Sequence, residues 1–264
     1  MRKIRILAFL NFIFFMMACF TANISQFKMI GLQNMADVSR KYDTVFTPAG
    51  ITFAIWGVIY ISLFAFTIYH LIKAFKEEAQ SAANHVLVKI GYLFVINNLA
   101  CTLWVFAFLN EWLFLSVILM LIQLISLLLI FIKLNLYDAS QSFKNKLFTQ
   151  FPLSIYFAWI CVATVANISS YLVSTGWAAF GISDTSWAIA LIFVVLGLSL
   201  FIILIKKNVF FGLVILWAIY GIILKREVVD VNLYHQMIGI CYFVLGLIFG
   251  ACILQWIRNS KGAA

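Results

Sequence analysis

The polar side chains that could do chemistry in this chain lie within apolar stretches, and they are amides, hydroxyls and indoles. Asn97 and Asn98 lie in one such stretch, and Thr164 and Asn167 lie in another. An amide surrounded by lipid must find a hydrogen-bond partner, so these side chains are expected to point into the protein. They could join helices to one another, or they could form a hydrogen-bonding wall for a neutral or weakly polar ligand. Both interpretations stay open at this stage.

Three tryptophans could supply the apolar part of such a wall. Trp56, Trp104 and Trp159 lie several residues inside apolar stretches, whereas four others lie at stretch ends, as is typical of an interfacial belt. Trp159 precedes Asn167 by eight residues, so the two should share one face of a helix. An indole inside a helix bundle can simply pack, or it can line a pocket for a large flat molecule and orient it with its N–H.

Several kinds of chemistry have no support in the sequence. All nine acids fall in loops or at the ends of apolar stretches, which argues against a proton pump with a buried carboxylate and against an intramembrane hydrolase. His70, His85 and His235 are too dispersed to bind a metal together. There is no phosphate-binding glycine loop and no nucleophile elbow. We therefore predict no catalytic residue, no metal site and no cofactor. A membrane enzyme, such as one that degrades a tetrapyrrole, would lack a general base in the bilayer.

The elements that must position these residues are transmembrane helices. The chain is 65% apolar and 10% charged, whereas soluble domains are about 45–50% apolar and about 25% charged. A span needs about 20 mostly apolar residues. The predicted fold is an all-α, polytopic transmembrane bundle of about eight spans, at residues 6–26, 50–72, 90–109, 112–132, 148–174, 187–205, 209–224 and 234–257. The first span follows Arg2, Lys3 and Arg5, but it is longer than the apolar region of a signal peptide, so we expect it to be retained.

The basic residues predict the orientation in the membrane. With the N-terminus in the cytoplasm, 13 of the 18 Lys and Arg residues fall on the cytoplasmic side, and an even number of spans returns the C-terminus to that side. The net charge of +9 is therefore a topology signal. Because these residues are scattered over loops, we expect no nucleic-acid partner. The expected partner of the apolar spans is the lipid bilayer. We expect an integral, multi-pass protein of a bacterial inner membrane.

Three sequence blocks resemble a known family. One begins at Pro48 and continues through Trp56-Gly57 to Tyr60, and another runs from Asn97 to Trp104. The third is the most specific, and it has the form Tyr-x-Ala-Trp…Thr-x-x-Asn between residues 156 and 167. In this order the blocks resemble the TspO/MBR family, the tryptophan-rich sensory proteins related to the mitochondrial translocator protein.

The resemblance carries structural and functional implications. Family members are five-helix membrane proteins, often dimeric, that bind porphyrins, and some bind cholesterol or synthetic aromatic ligands. It implies a five-helix core over residues 1–174, with three more helices over 175–264 in the same membrane domain, as in extended eight-helix relatives. It also implies a homodimer as one assembly. The implied ligand-binding residues are Pro48, Trp56, Tyr60, Asn97, Trp104, Tyr156, Trp159, Thr164 and Asn167.

Two functions follow from these observations. The first is a ligand-binding, sensory membrane protein that holds a hydrophobic aromatic molecule, such as a porphyrin or a sterol-like lipid, in a pocket under the 27–49 loop. The alternative is a multi-span transporter of a small uncharged solute, a class that eight spans would suit. Against the transporter, there is no internal repeat, and Pro48 and Pro152 both lie near span ends, where they would not interrupt a helix.

Overall fold

Helices form almost all of the regular structure in the computed structural model, which describes residues 1–29, 33–136 and 141–261. No strand occurs in these ranges, and the predicted all-α fold is confirmed. In chain order the α-helices are α1 (Arg2–Gln26), α2 (Met35–Lys41), α3 (Ile55–Lys76), α4 (Ala82–Ile90), α5 (Leu93–Leu109), α6 (Leu113–Leu134), α7 (Phe143–Asn145), α8 (Phe151–Ser174), α9 (Asp184–Leu200) and α10 (Val209–Lys261).

Short irregular helices connect or extend several of these elements. A 3-10 helix at Gly50–Ala54 leads into α3, and a π-helical turn at Lys146–Gln150 joins α7 to α8. A 3-10 helix at Ala179–Gly181 precedes α9. A second π-helical turn, at Phe201–Ile205, extends the end of α9. Within the described ranges, six continuous helical segments are long and apolar enough to cross a membrane, and α4 with α5 counts as a seventh if the bent pair is taken as one span.

The 53-residue helix α10 contains two membrane passages. Its helical geometry is interrupted at Asp230, where φ is −167° and ψ is 102°. A straight helix would separate residues 207 and 259 by about 78 Å at 1.5 Å per residue, yet the Asn259 amide donates to the Lys207 carbonyl at 3.1 Å. The two halves, α10a (residues 209–229) and α10b (residues 231–261), therefore run antiparallel. The Asp230 carboxylate accepts from the Leu233 backbone N–H and caps α10b. Counted in this way, the described residues contain eight helical segments that could each cross a membrane.

The third predicted span differs from the structure at its start. Residues 90–109 were expected to form one helix, but Gly91 has a positive φ of 52°, and the chain bends by 58° between α4 and α5. Glycine adopts this conformation without the steric cost of a Cβ. The short α4 packs beside α1, α3 and α6. His70 of α3 fixes it there, because one ring nitrogen lies 3.1 Å from the Ala83 carbonyl and the other lies 3.0 Å from the Thr149 hydroxyl.

The described helices pack around one large apolar core, with smaller apolar clusters beside it. α5 lies along α6, α6 lies along α8, and α1 packs on α3 and α5, while α10 packs on α8 and α9. At the turn before α10, the Asn208 side chain is fully buried; it donates to the Ser154 hydroxyl at 2.7 Å and accepts from the Phe211 N–H. This amide caps α10a and ties it to α8, so the C-terminal helices are anchored to the rest of the bundle.

Candidate functional site

A cavity of about 440 Å³ lies at the end of the bundle where α1 ends and α3 begins. Its walls come from α1, α2, the segment 47–53, α3, α5, α6 and α8. The volume falls within the range of about 300–1,000 Å³ that is usual for small-molecule sites. No charged side chain lies among the described lining residues. The polar ones are amides and hydroxyls, on Asn23, Gln26, Ser39, Thr47, Asn167 and Ser170, together with aromatic N–H and O–H groups.

Aromatic rings form one wall of this cavity. Trp56 stacks on Tyr60 one turn later in α3, with ring centroids 5.3 Å apart. Trp159 of α8 meets Trp56 edge to face at 6.1 Å, and Phe53 meets Trp159 in the same way at 6.0 Å. Such geometries are the favoured ones for aromatic pairs. The rings of this wall therefore pack on one another in the absence of a ligand.

A hydrogen-bonded chain through Asn167 closes another side. The Trp104 indole N–H donates to the Asn167 side-chain oxygen at 2.6 Å, and the Asn167 amide donates to the Ser116 hydroxyl at 2.8 Å. Ser116 in turn donates to the Leu113 carbonyl at 2.7 Å. Since Trp104, Ser116 and Asn167 belong to α5, α6 and α8, the chain joins three helices. Asn167 thus has the role of a helix link and also contributes surface to the cavity.

The indole N–H of Trp159 differs from that of Trp104. The Trp159 side chain is 2% exposed, and its nitrogen has no hydrogen-bond partner among the described residues. A buried donor without a partner costs free energy. Trp159 lines the cavity, but its indole nitrogen is itself buried, so an acceptor atom on a ligand would reach this group only after a neighbouring side chain moves.

Six of the nine predicted ligand-binding residues border the cavity, and three do not. The six are Pro48, Trp56, Tyr60, Trp104, Trp159 and Asn167. Asn97 instead donates from α5 to the Gln123 carbonyl and the Ser126 hydroxyl of α6, both at 3.0 Å. Thr164 donates to the Ile160 carbonyl of its own helix at 2.7 Å. Tyr156 lies behind the aromatic wall, 6.2 Å from Trp56 between ring centroids. These three positions shape the bundle around the cavity rather than its surface.

Helix α2, which lines one side of the cavity, is held in place by a cluster of hydrogen bonds to Glu111. The short helix α2 has a reciprocal capping box between Asn34 and Asp37. Glu111, in the turn between α5 and α6, accepts from Lys41, from the Tyr42 hydroxyl at 2.6 Å and from the Gln33 amide at 3.0 Å. The hydrogen bond from Lys41 is the main reason that the pKa of Glu111 is lowered to about 2, with those from Tyr42 and Gln33 adding to it. The carboxylate therefore stays ionised at any physiological pH.

A family model described as TSPO-like protein matches residues 8–254 of the chain. This protein belongs to the TSPO-like family. Comparisons with curated proteins and with solved structures give no significant match. The family match and the apolar helices together show that the chain is an integral, multi-pass membrane protein. The matched region includes the three C-terminal helices as well as residues 8–174.

The TSPO-like protein also has cavity residues that the sequence patterns did not single out. Phe53 and the small residues Ala163 and Ala166 line it, and Ser116 and Glu111 support it through hydrogen bonds. The small residues follow the stripe of Trp159, Asn167 and Ser170 along α8, with spacings of three and four, so helical periodicity would have found them. Glu111 had no local signal, because its partners are about 70 residues away in the chain.

Among the described residues, no group of three or more His, Cys, Asp or Glu side chains is arranged to hold a metal ion. The cavity instead combines aromatic faces, small gaps and uncharged hydrogen-bonding groups. Such a surface can bind and orient a neutral, flat molecule. In its described lining, the Tyr60 hydroxyl is the ionisable group available for acid–base chemistry.

Proposed function

We propose that this protein is a ligand-binding, sensory membrane protein of the TspO type, which holds a hydrophobic aromatic molecule in the cavity between α3, α5 and α8. The observation that carries the proposal is the aromatic wall of Trp56, Tyr60 and Trp159 beside a cavity whose described lining contains no charged side chain. Aromatic contacts of this kind contribute about 0.5–1.5 kcal/mol per pair beyond the burial of area. A porphyrin or a sterol-like lipid is the ligand class that we propose, bound as a ligand and not as a cofactor.

The polar groups of the cavity suggest which part of the ligand goes where. The unpartnered N–H of Trp159 would pair with an acceptor atom, such as a carbonyl oxygen or a ring nitrogen, on a part of the ligand that lies against the aromatic wall. The amides of Asn23 and Gln26 line the cavity near the end of α1 and would face any polar substituents. A ligand with an apolar body and polar groups toward one edge would match this distribution.

The orientation of the cavity is part of the same proposal. We propose that both termini lie in the cytoplasm, that the membrane is a bacterial inner membrane and that the protein forms a homodimer. Since α1 starts at the N-terminus and the cavity lies at its far end, the ligand would then enter from the side opposite the cytoplasm.

A fluorescence titration tests the proposal. Purified protein in detergent is titrated with metal-free protoporphyrin, and quenching of Trp emission is followed after correction for inner-filter absorption. Saturable quenching is expected for the natural sequence. Trp56→Leu should weaken it strongly, because the stacked pair with Tyr60 is lost, whereas Trp187→Leu should not, since the Trp187 N–H bonds to Ala179 outside the cavity. Linear, non-saturating quenching in all three proteins would contradict the proposal. The alternative function, solute transport, would then be tested in proteoliposomes.

A further inference from the structure

One wall of the cavity is formed by a segment that packs against α10a. The segment at residues 43–54, which we call the wall segment, connects α2 to α3 and contributes Thr47, Pro48, Gly50 and Phe53 to the cavity. Most of it is not α-helical, so its backbone N–H and C=O groups need other partners. Some lie within the segment, where the Thr47 N–H donates to the Thr44 carbonyl and the Thr52 N–H donates to the Ala49 carbonyl. The Ala49 N–H and the Thr52 carbonyl bond to α10a.

Three residues of α10a contact the wall segment along one helix face. The Trp217 indole N–H donates to the Thr52 carbonyl at 2.8 Å, the Gly221 carbonyl accepts from the Ala49 N–H at 2.8 Å, and Lys225 forms an ion pair with Asp43. These three positions are four residues apart, so they form a single stripe along the helix. The stripe therefore holds the wall segment at both ends and in the middle.

Gly221 brings the two backbones into close approach. A Cβ built at this position would lie 1.9 Å from the Thr52 hydroxyl oxygen and 2.9 Å from the Thr52 Cβ and Cγ2. Thr52 is fully buried, so it has little room to move away. Any larger residue at 221 must push α10a and the wall segment apart. The glycine is required here by proximity, since its φ is not in the left-handed region.

We propose that this stripe, Trp217, Gly221 and Lys225, positions the wall segment, so that α10a sets the ligand affinity of a cavity whose described lining contains none of its residues. This inference rests on the proposed function for its ligand and on the contacts above for its mechanism. The residues of the stripe are positioning residues. Coupling between two parts of a protein is reciprocal, so a ligand that touches Phe53 and Pro48 should in turn stabilise the contact between the wall segment and α10a.

The experiment compares Gly221→Ala with Gly250→Ala. Both glycines lie inside α10, and alanine favours the helix equally at both, but a Cβ at Gly250 would meet no atom within 4 Å. The first measurement needs no ligand: hydrogen–deuterium exchange of peptides covering residues 43–54. Exchange should rise in Gly221→Ala, above all at the Ala49 amide, and should be unchanged in Gly250→Ala. Equal exchange in Gly221→Ala and the natural protein would overturn the inference.

The second measurement is the protoporphyrin titration of the same samples. The Kd of Gly221→Ala should rise by about tenfold or more, which corresponds to about 1.4 kcal/mol, while that of Gly250→Ala stays unchanged. The double variant Gly221→Ala with Thr52→Gly removes the clashing side chain, whose hydroxyl has no partner among the described residues, and should recover affinity. Raised exchange without a change in Kd would also overturn the inference.

Two milder variants guard against misfolding of Gly221→Ala. Trp217→Phe keeps the ring and removes the hydrogen bond to Thr52, and Lys225→Gln removes the ion pair with Asp43. Each should raise exchange at its own end of the wall segment and weaken binding several-fold. If the natural protein gives no saturable porphyrin binding, the proposed function fails, and exchange alone then decides whether the stripe holds the wall segment.

Discussion

The indole N–H of Trp104 and the side-chain oxygen of Asn167 are joined by a 2.6 Å hydrogen bond that links α5 to α8 at the edge of the cavity. The same amide donates to Ser116 of α6. Both polar ends of Asn167 are therefore already used by the protein. This arrangement makes Asn167 a structural link first, although its position in the sequence motif is compatible with a ligand contact.

Asn167→Leu should lower thermal stability. The substitution leaves the Trp104 N–H without its partner, and an unpaired buried group costs about 1–3 kcal/mol. A melting curve in detergent measures the loss. Asn98→Leu is the control, because Asn98 is also buried but its amide donates to the Phe94 carbonyl of its own helix, and no bond from its side chain to another helix occurs among the described residues. A stability loss in Asn98→Leu as large as that in Asn167→Leu would contradict the link between helices.

Trp159→Phe should weaken ligand binding. Phenylalanine keeps an aromatic ring and removes the N–H that has no partner among the described residues. If a ligand acceptor pairs with that group, losing the bond removes about 0.5–1.5 kcal/mol, so Kd should rise by roughly twofold to tenfold. Porphyrin absorbance measures binding independently of Trp emission. Trp187→Phe is the control outside the cavity. Unchanged affinity in Trp159→Phe would show that no ligand acceptor uses this donor.

Glu111→Gln should lower stability in a pH-dependent way. The folded-state pKa of Glu111 is lowered to about 2, from a usual value of 4.5. A carboxyl with a lowered pKa stabilises the fold fully above its unfolded pKa, and this contribution is lost as pH falls toward the folded pKa. The difference in melting temperature between the natural protein and Glu111→Gln should be constant above about pH 5 and shrink toward zero near pH 2. In a Lys41→Gln background the difference should be smaller at every pH. A constant difference down to pH 2.5 would contradict this assignment.

Labels at Phe180 and Ser260 should react from opposite sides of the membrane. Phe180 lies in the connection before α9, and Ser260 lies near the end of α10b. With eight passages and a cytoplasmic N-terminus, residue 180 is outside and residue 260 is cytoplasmic. Phe180→Cys and Ser260→Cys are introduced in a background without the five native cysteines and treated with an impermeant maleimide. Labelling of both by the external reagent would contradict the predicted orientation.

The sequence was most informative about the helices and about one stripe of α8. Long apolar runs predict transmembrane helices because lipid permits few other backbone structures. Trp159 and Asn167 were expected on one helix face from their spacing, and both border the cavity. Thr164 lies between them in the sequence but on another face, and its hydroxyl bonds within its own helix. Assigning each residue to a helix face from the helical period would have separated Thr164 from Trp159 and Asn167.

The level of a residue along the axis of the bundle was harder to predict than the helix face on which it lies. Asn97 and Trp104 are seven residues apart, so they share a face of α5, but they also differ by about 10 Å along its axis. The cavity occupies only one end of the bundle, and at the level of Asn97 α5 is packed directly on α6. The contacts of α10a with the wall segment are equally hidden in the sequence. They join residues 165 or more positions apart, and no local pattern reports such a pairing.

The absence of charged side chains from the described cavity lining has a consequence for how the protein responds to membrane voltage. Moving one elementary charge through the field of a membrane contributes about 2.3 kcal/mol per 100 mV. A neutral ligand, such as a sterol-like lipid, carries no charge through the field when it enters this cavity, and no charged residue of the described lining has to move with it. Occupancy of the cavity by such a ligand should therefore be the same in an energised and a de-energised cell, and should follow only the concentration of the ligand.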